Sequence, residues 1–291
     1  MVLRIAERAS VGLPDRIRQN PEGAYVCIAL AWSWVFWIPA LLSFKGILGL
    51  PISWLPLLFL GAPGPSISAL VVTGVTDRSR GVKGLLRRLV IWRVHPIWYL
   101  VAWAGPSLVL LLAMPIEALR GGSVGEVDLS RWPLLFTSVL LAVPYGPLNE
   151  ELGWRGFLFP RLAAKYGLLV NGVLLGTVWL TWHAPLFWLP GGASISGAPV
   201  TVAAVIWYLV YLIAWAVVFG WLFLRSGGSV LLAILTHASL NARSPFALFP
   251  DLSQVVQRDL VLWSIMPLGL AVAALLGMRD SRSRPSGPAT P

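Results

Sequence analysis

Long apolar stretches, closed by short polar or Gly/Pro-containing segments, recur along the chain at 24–44, 54–73, 97–119, 132–160, 167–189, 199–224, 228–248 and 260–277. A bilayer core about 30 Å thick takes about 20 apolar residues per helical crossing. The pattern therefore predicts an all-α, polytopic membrane protein of about eight transmembrane helices. No stretch between the runs is long enough for a soluble domain. The chain divides into an N-terminal segment, 1–23, a helical membrane domain, 24–278, and a tail, 279–291, whose Ser, Pro and Arg content predicts disorder.

Composition agrees with that division. Hydrophobic residues make up 57% of the 291, the mean hydropathy is +0.77, and charged residues are 12%, against about 25% in soluble domains. A net charge of +10 would elsewhere suggest nucleic acid, but here Lys and Arg lie between apolar runs, where they set orientation. Of the 22, 17 fall on one side: the N-terminal segment, the second loop, the stretch after the paired glutamates, Arg225 and the tail. Both termini are therefore expected to be cytoplasmic in a multi-pass protein whose partner is the lipid bilayer, not nucleic acid. Cys27 is the single cysteine, which excludes an intrachain disulfide or a Cys-ligated metal site. The first 23 residues lack the apolar run and small-residue site of a cleaved signal peptide.

The acidic residues carry the chemistry. Ten of the twelve lie in loops, tails or at the end of a run; the other two are Glu150 and Glu151, adjacent within the fourth run. An ionisable group at membrane depth costs about 3 kcal/mol on insertion scales, so it is kept where it faces a polar interior and has partners. Glu151 and Arg155 stand one helical turn apart with the acid first, the spacing and order that favour an ion pair. Glu150 projects about 100° away and is left as the free carboxylate. Pro144, Gly146 and Pro147 just upstream are expected to interrupt the helix, with Asn149 capping its restart. In lipid such a break is tolerated only where it is buried in protein or lines a wet cavity.

Two of the three histidines, His183 and His237, lie in apolar runs of their own. If runs four and five form a hairpin turning near Tyr166 and Gly167, Glu150 and His183 lie about 22 and 24 Å from the turn, at nearly the same depth. His237 and Asn241 share one helical face, with His237 about 15 Å past the turn at Gly227. His95, beside Pro96 at the start of a run, is placed at the interface.

The ordered set Glu150-Glu151-x-x-x-Arg155, Trp179-x-x-x-His183 and His237-x-x-x-Asn241 resembles the CPBP family of intramembrane proteases, which includes CAAX prenyl endopeptidases and the Abi proteins linked to bacteriocin immunity. The resemblance covers about 90 residues and implies an eight-helix fold enclosing an intramembrane catalytic cavity, with 24–278 as the protease domain. It implies an endopeptidase acting on a membrane-associated or prenylated peptide or protein. By that resemblance Glu150 is the general base, working with His183 to activate water; His237 and Asn241 form the oxyanion hole; Glu151 and Arg155 support the architecture. The family's usual phenylalanine in the second motif is Trp179 here.

Physical chemistry is compatible with these roles, since amide hydrolysis needs a base beside the water and donors aimed where the oxyanion develops. The alternative is a zinc site built from Glu150, His183 and His237 with a position open for water. A metal-free site is favoured, because Asn241 is a poor zinc ligand and a good oxyanion donor. Two non-proteolytic readings stand beside it. One is a membrane scaffold or immunity protein held together by the same polar groups. The other is a proton-coupled transporter, against which the eight runs show no internal repeat.

Overall fold

In the computed structural model, residues 12–119, 126–193, 196, 199–242, 248–249 and 267–277 are described. Among them every regular element is a helix, with no strand. The helices are α1 (Leu13–Gln19), α2 (Pro21–Phe44), α3 (Leu55–Gly61), α4 (Gly64–Arg87), α5 (Ile97–Leu119), α6 (Leu134–Ala142), α7 (Pro147–Gly153), α8 (Phe159–Lys165), α9 (Leu168–His183), α10 (Val202–Arg225) and α11 (Val230–Ala242). A last helix, α12 (Pro267–Gly277), follows. The expected tail and the start of the eighth run lie outside the described residues.

Among the described residues, three segments are long and apolar enough to cross a membrane by themselves: Pro21–Phe44, Leu55–Val90 and Val202–Arg225. Outward-facing positions are apolar as well, with Val35, Leu112, Leu140, Leu141 and Val202 all exposed. The charged side chains Glu150, Glu151 and Arg155 are buried instead. That distribution, apolar outside and charged inside, suits lipid as the surrounding solvent. The protein is an all-α polytopic membrane protein.

The fourth run is the centre of the bundle and is not one helix. α6 stops at Ala142, the chain turns through Pro144 to Gly146, and α7 restarts with Pro147 in its first turn, where a missing N–H costs nothing. Gly146, not Asn149, occupies the N-cap position. Asn149 instead donates its side-chain Nδ2 back to the carbonyl of Pro144 at 2.9 Å, satisfying an acceptor inside the break. After Gly153 the helix widens into a π-helical turn, Trp154–Leu158, before continuing as α8. Such wide turns occur frequently at functional sites. α7 packs against α4 on one side and α11 on the other, and the π turn against α4, α8, α10 and α11.

Around this centre, α9 lies along α10, α2 against α3 and α4, and α11 against α5 and α6. The α9–α10 contact depends on small residues, because helices in lipid associate by close packing and not by hydrophobic exclusion. A Cβ added to Gly172 would stand 2.4 Å from Val217 Cγ2, and one added to Gly176 would stand 2.8 Å from the Cα of Ile213. α2, α3 and α9 are joined by hydrogen bonds from indoles. Trp182 Nε1 donates to Ser33 Oγ at 2.7 Å, Ser33 Oγ donates to the carbonyl of Gly61 at 2.7 Å, and Trp37 Nε1 donates to the carbonyl of Leu58 at 3.0 Å.

Since the Ile213 backbone cannot rotate out of the way, Gly176→Ala should cost about 1–3 kcal/mol as an overpacked contact. A lower thermal midpoint in detergent is expected for Gly176→Ala and none for Gly84→Ala, where nothing lies within 4 Å of the added atom.

Candidate active site

Glu150 and Glu151 lie in α7, adjacent in sequence and divergent in space. Glu151 is fully buried and faces Arg155 one turn on, also fully buried. Arg155 Nη1 reaches both carboxylate oxygens, at 2.8 and 3.0 Å. Its flat guanidinium lies against the rings of Phe219 and Trp179, with centroids 4.2 and 4.7 Å away. Cation–π contact of this kind is strongest where water is absent. The i,i+4 ion pair is therefore present, but it is only part of what Glu151 does. His237 Nδ1 approaches Glu151 Oε1 at 2.7 Å from α11, so one carboxylate serves a guanidinium and an imidazole. An ionised carboxylate only accepts hydrogen bonds. Nδ1 of His237 accordingly carries a proton, and its Nε2 is left for the cavity that His237 lines.

Glu150 is not partnerless. The indole Nε1 groups of Trp154 and Trp179 both donate to Oε2, each at 3.1 Å. Its other oxygen, Oε1, accepts no hydrogen bond among the described residues and points to the helix break. A Cβ placed on Gly146 would lie 2.9 Å from Oε1 and 3.7 Å from Asn241 Nδ2. Gly146 also has φ +129°, a conformation that L side chains rarely adopt. The break thus brings bare backbone up to the carboxylate and leaves Oε1 and Asn241 on either side of an open space.

His183 ends α9, and its Nδ1 lies 2.9 Å from the carbonyl of Trp179. A carbonyl accepts, so the proton is on Nδ1 and Nε2 presents a lone pair. The ring is set edge-on to Trp182 at 4.7 Å and to Tyr208 at 6.2 Å.

Glu150, His183, His237 and Asn241 all line one cavity of about 750 Å³, with Tyr145, Tyr208 and Tyr211 among its other walls. A second cavity of about 220 Å³ adjoins Glu150 and His183 from the other side, and its walls include Trp37, Leu55, Leu58, Phe59 and Leu186. The pair thus stands between a larger space with polar groups and a smaller, mainly apolar one.

Residues 132–243 match the model of a family described as type II CAAX prenyl endopeptidase Rce1-like. A CAAX prenyl protease 2 from Methanococcus maripaludis is 24% identical over 189 residues, which cover 62% of this chain and 68% of the relative. The matched stretch begins just before α6 and ends just after α11, so it contains the helix break, both glutamates, both histidines and Asn241. All residues named as lining the larger cavity lie inside this matched stretch.

The zinc alternative requires Glu150, His183 and His237 to converge on one point. Among the described residues no group of three His, Cys, Asp or Glu side chains is disposed to hold a metal ion. The hydrogen bonds on Glu150 Oε2 and on Nδ1 of each histidine leave Oε1 and both Nε2 atoms open, as ligation would also require, so the test rests on how the three groups are disposed. As disposed here, the three side chains do not form a site for the ion.

Sequence spacing overlooked three participants. Trp154 and the N–H of Trp179 have no periodic signature in apolar helices, and the approach of Gly146 to Glu150 depends on how the break folds. The two glycine-flanking prolines, Pro144 and Pro147, were the available signal for the last.

Removing Arg155 alone leaves a buried carboxylate without its counter-charge, which typically costs about 3–5 kcal/mol. Arg155→Met should therefore unfold the protein at much lower temperature or denaturant. The double variant Glu151→Gln/Arg155→Met should recover part of that loss, read as a non-additive double-mutant cycle.

Proposed function

We propose that the chain is an intramembrane endopeptidase that hydrolyses a peptide bond of a membrane-associated or prenylated, CAAX-type peptide or protein. The observation that carries this reading is the shared cavity, where Glu150 and His183 meet His237 and Asn241. In this scheme the domain 24–278 forms the protease, and both termini lie on the cytoplasmic side. The apolar pocket behind Glu150 and His183 would accept an aliphatic or isoprenoid group, which supports an apolar substrate.

The chemistry follows from which atoms remain available. A water in the larger cavity gives a proton to Glu150 Oε1 while hydrogen-bonded to His183 Nε2, and its oxygen adds to the scissile carbonyl. The tetrahedral oxyanion accepts hydrogen bonds from Asn241 Nδ2 and His237 Nε2. Donation from Nε2 requires the imidazolium form of His237. Collapse of the intermediate breaks the C–N bond, and the proton on Glu150 passes to the leaving amine. Glu151 and Arg155 take no proton and touch no substrate; they hold His237.

A farnesylated, internally quenched CAAX peptide tests the reading. Glu150→Gln, His183→Ala and His237→Ala should each reduce its cleavage by at least about 100-fold, the range of general-base and oxyanion groups, with unchanged thermal midpoints. Glu150→Gln retaining near wild-type cleavage would overturn the assignment. Loss of activity and stability together in all three variants would favour the scaffold reading instead.

A further inference from the structure

The two indoles on Glu150 do more than fill space. Trp154 comes from the π turn immediately after α7, and Trp179 from α9, so two elements that meet only in the folded bundle aim N–H groups at the same oxygen. Both rings are buried, and both are held by other contacts. Trp154 sits edge-on to Tyr25 at 5.8 Å and to Trp182 at 5.7 Å. Trp179 is edge-on to His237 at 5.4 Å and carries the Arg155 guanidinium on its face. Neither indole is free to turn away, and an indole can only donate.

We infer that Trp154 and Trp179 are positioning residues that divide the Glu150 carboxylate into a held oxygen, Oε2, and a working oxygen, Oε1, turned to the cavity beside Gly146. This rests on the reading of Glu150 as the base. A carboxylate on a flexible side chain would otherwise rotate between equivalent oxygens and sample geometries useless to the water. Two charge-assisted bonds to one oxygen remove that freedom. The same arrangement couples the two centres of the site, because the Trp179 ring contacts both Arg155 and His237 while its N–H holds Glu150. One side chain thereby sets the spacing between the base and the oxyanion donor.

The substitution Trp179→Phe removes the N–H and keeps a ring against Arg155 and His237; Trp154→Phe does the same on the other side. Loss of one charge-assisted bond should lower kcat on the farnesylated CAAX peptide about 10-fold, with KM within about twofold, and the double variant should lose more than either.

A measurement without substrate keeps the inference separate from the proteolytic reading. In ¹⁵N-labelled protein, the indole N–H resonances assigned through the two Phe variants should both move upfield in Glu150→Gln, where the charged acceptor is gone. If neither resonance moves, the inference fails whatever the enzyme cleaves. Wild-type kcat in both Phe variants, with Glu150→Gln inactive, would also overturn it while leaving Glu150 as the base.

Discussion

One carboxylate with no exposure to solvent, Glu151, is the constraint around which the interior is assembled. In lipid there is no water to solvate it, so its charge has to be met by protein. Arg155 meets it along the helix and His237 meets it across the bundle. The remaining surface of the guanidinium is covered by Trp179 and Phe219, which brings α9 and α10 to the same point. A single buried ion pair thus specifies the positions of four segments, the π turn, α9, α10 and α11. Replacing such a pair by apolar residues is often neutral for stability; what it supplies here is a defined orientation for an imidazole that lines a cavity.

Glu150 illustrates the opposite solution one residue earlier. It is nearly as buried as Glu151, yet it faces no cation directly and is held by two neutral donors on one oxygen. An ion pair would have tied up both oxygens. Indoles satisfy half of the carboxylate and leave the other half at the break, where Gly146 has no side chain to fill the space. Adjacent glutamates in one helix therefore acquire different surroundings because the helix surface turns about 100° between them, one side toward a cation and the other toward a cavity.

The break and the π turn are the backbone counterparts of this division. Pro144 and Pro147 prevent a continuous helix, Asn149 satisfies a carbonyl left inside the gap, and the wide turn at Trp154–Leu158 carries Trp154 and Arg155 to opposite tasks. Irregular backbone at membrane depth is acceptable where it is enclosed by protein. Here Gly146 and Pro147 are buried and α7 packs between α4 and α11, while Pro144 and Tyr145 remain exposed.

Much of this was legible without coordinates. Run length and hydropathy determined the helical membrane class, because a helix must satisfy its own backbone in lipid and needs about 20 apolar residues to cross. The i,i+4 rule determined that Glu151 and Arg155 meet, and Pro144 to Pro147 marked the break. Spacing rules reach one turn along one helix and no further. That His237 closes on Glu151 from 86 residues away, and Trp179 on Glu150 from 29, was decided by how α9 and α11 are rotated and crossed against α7. Helices such as α9 are apolar around most of their circumference, since lipid and protein interior favour the same residues, so hydropathy leaves their rotation undetermined. Close packing at glycines such as Gly176 and the geometry of the buried charges settle that rotation, and both exist only in the folded bundle.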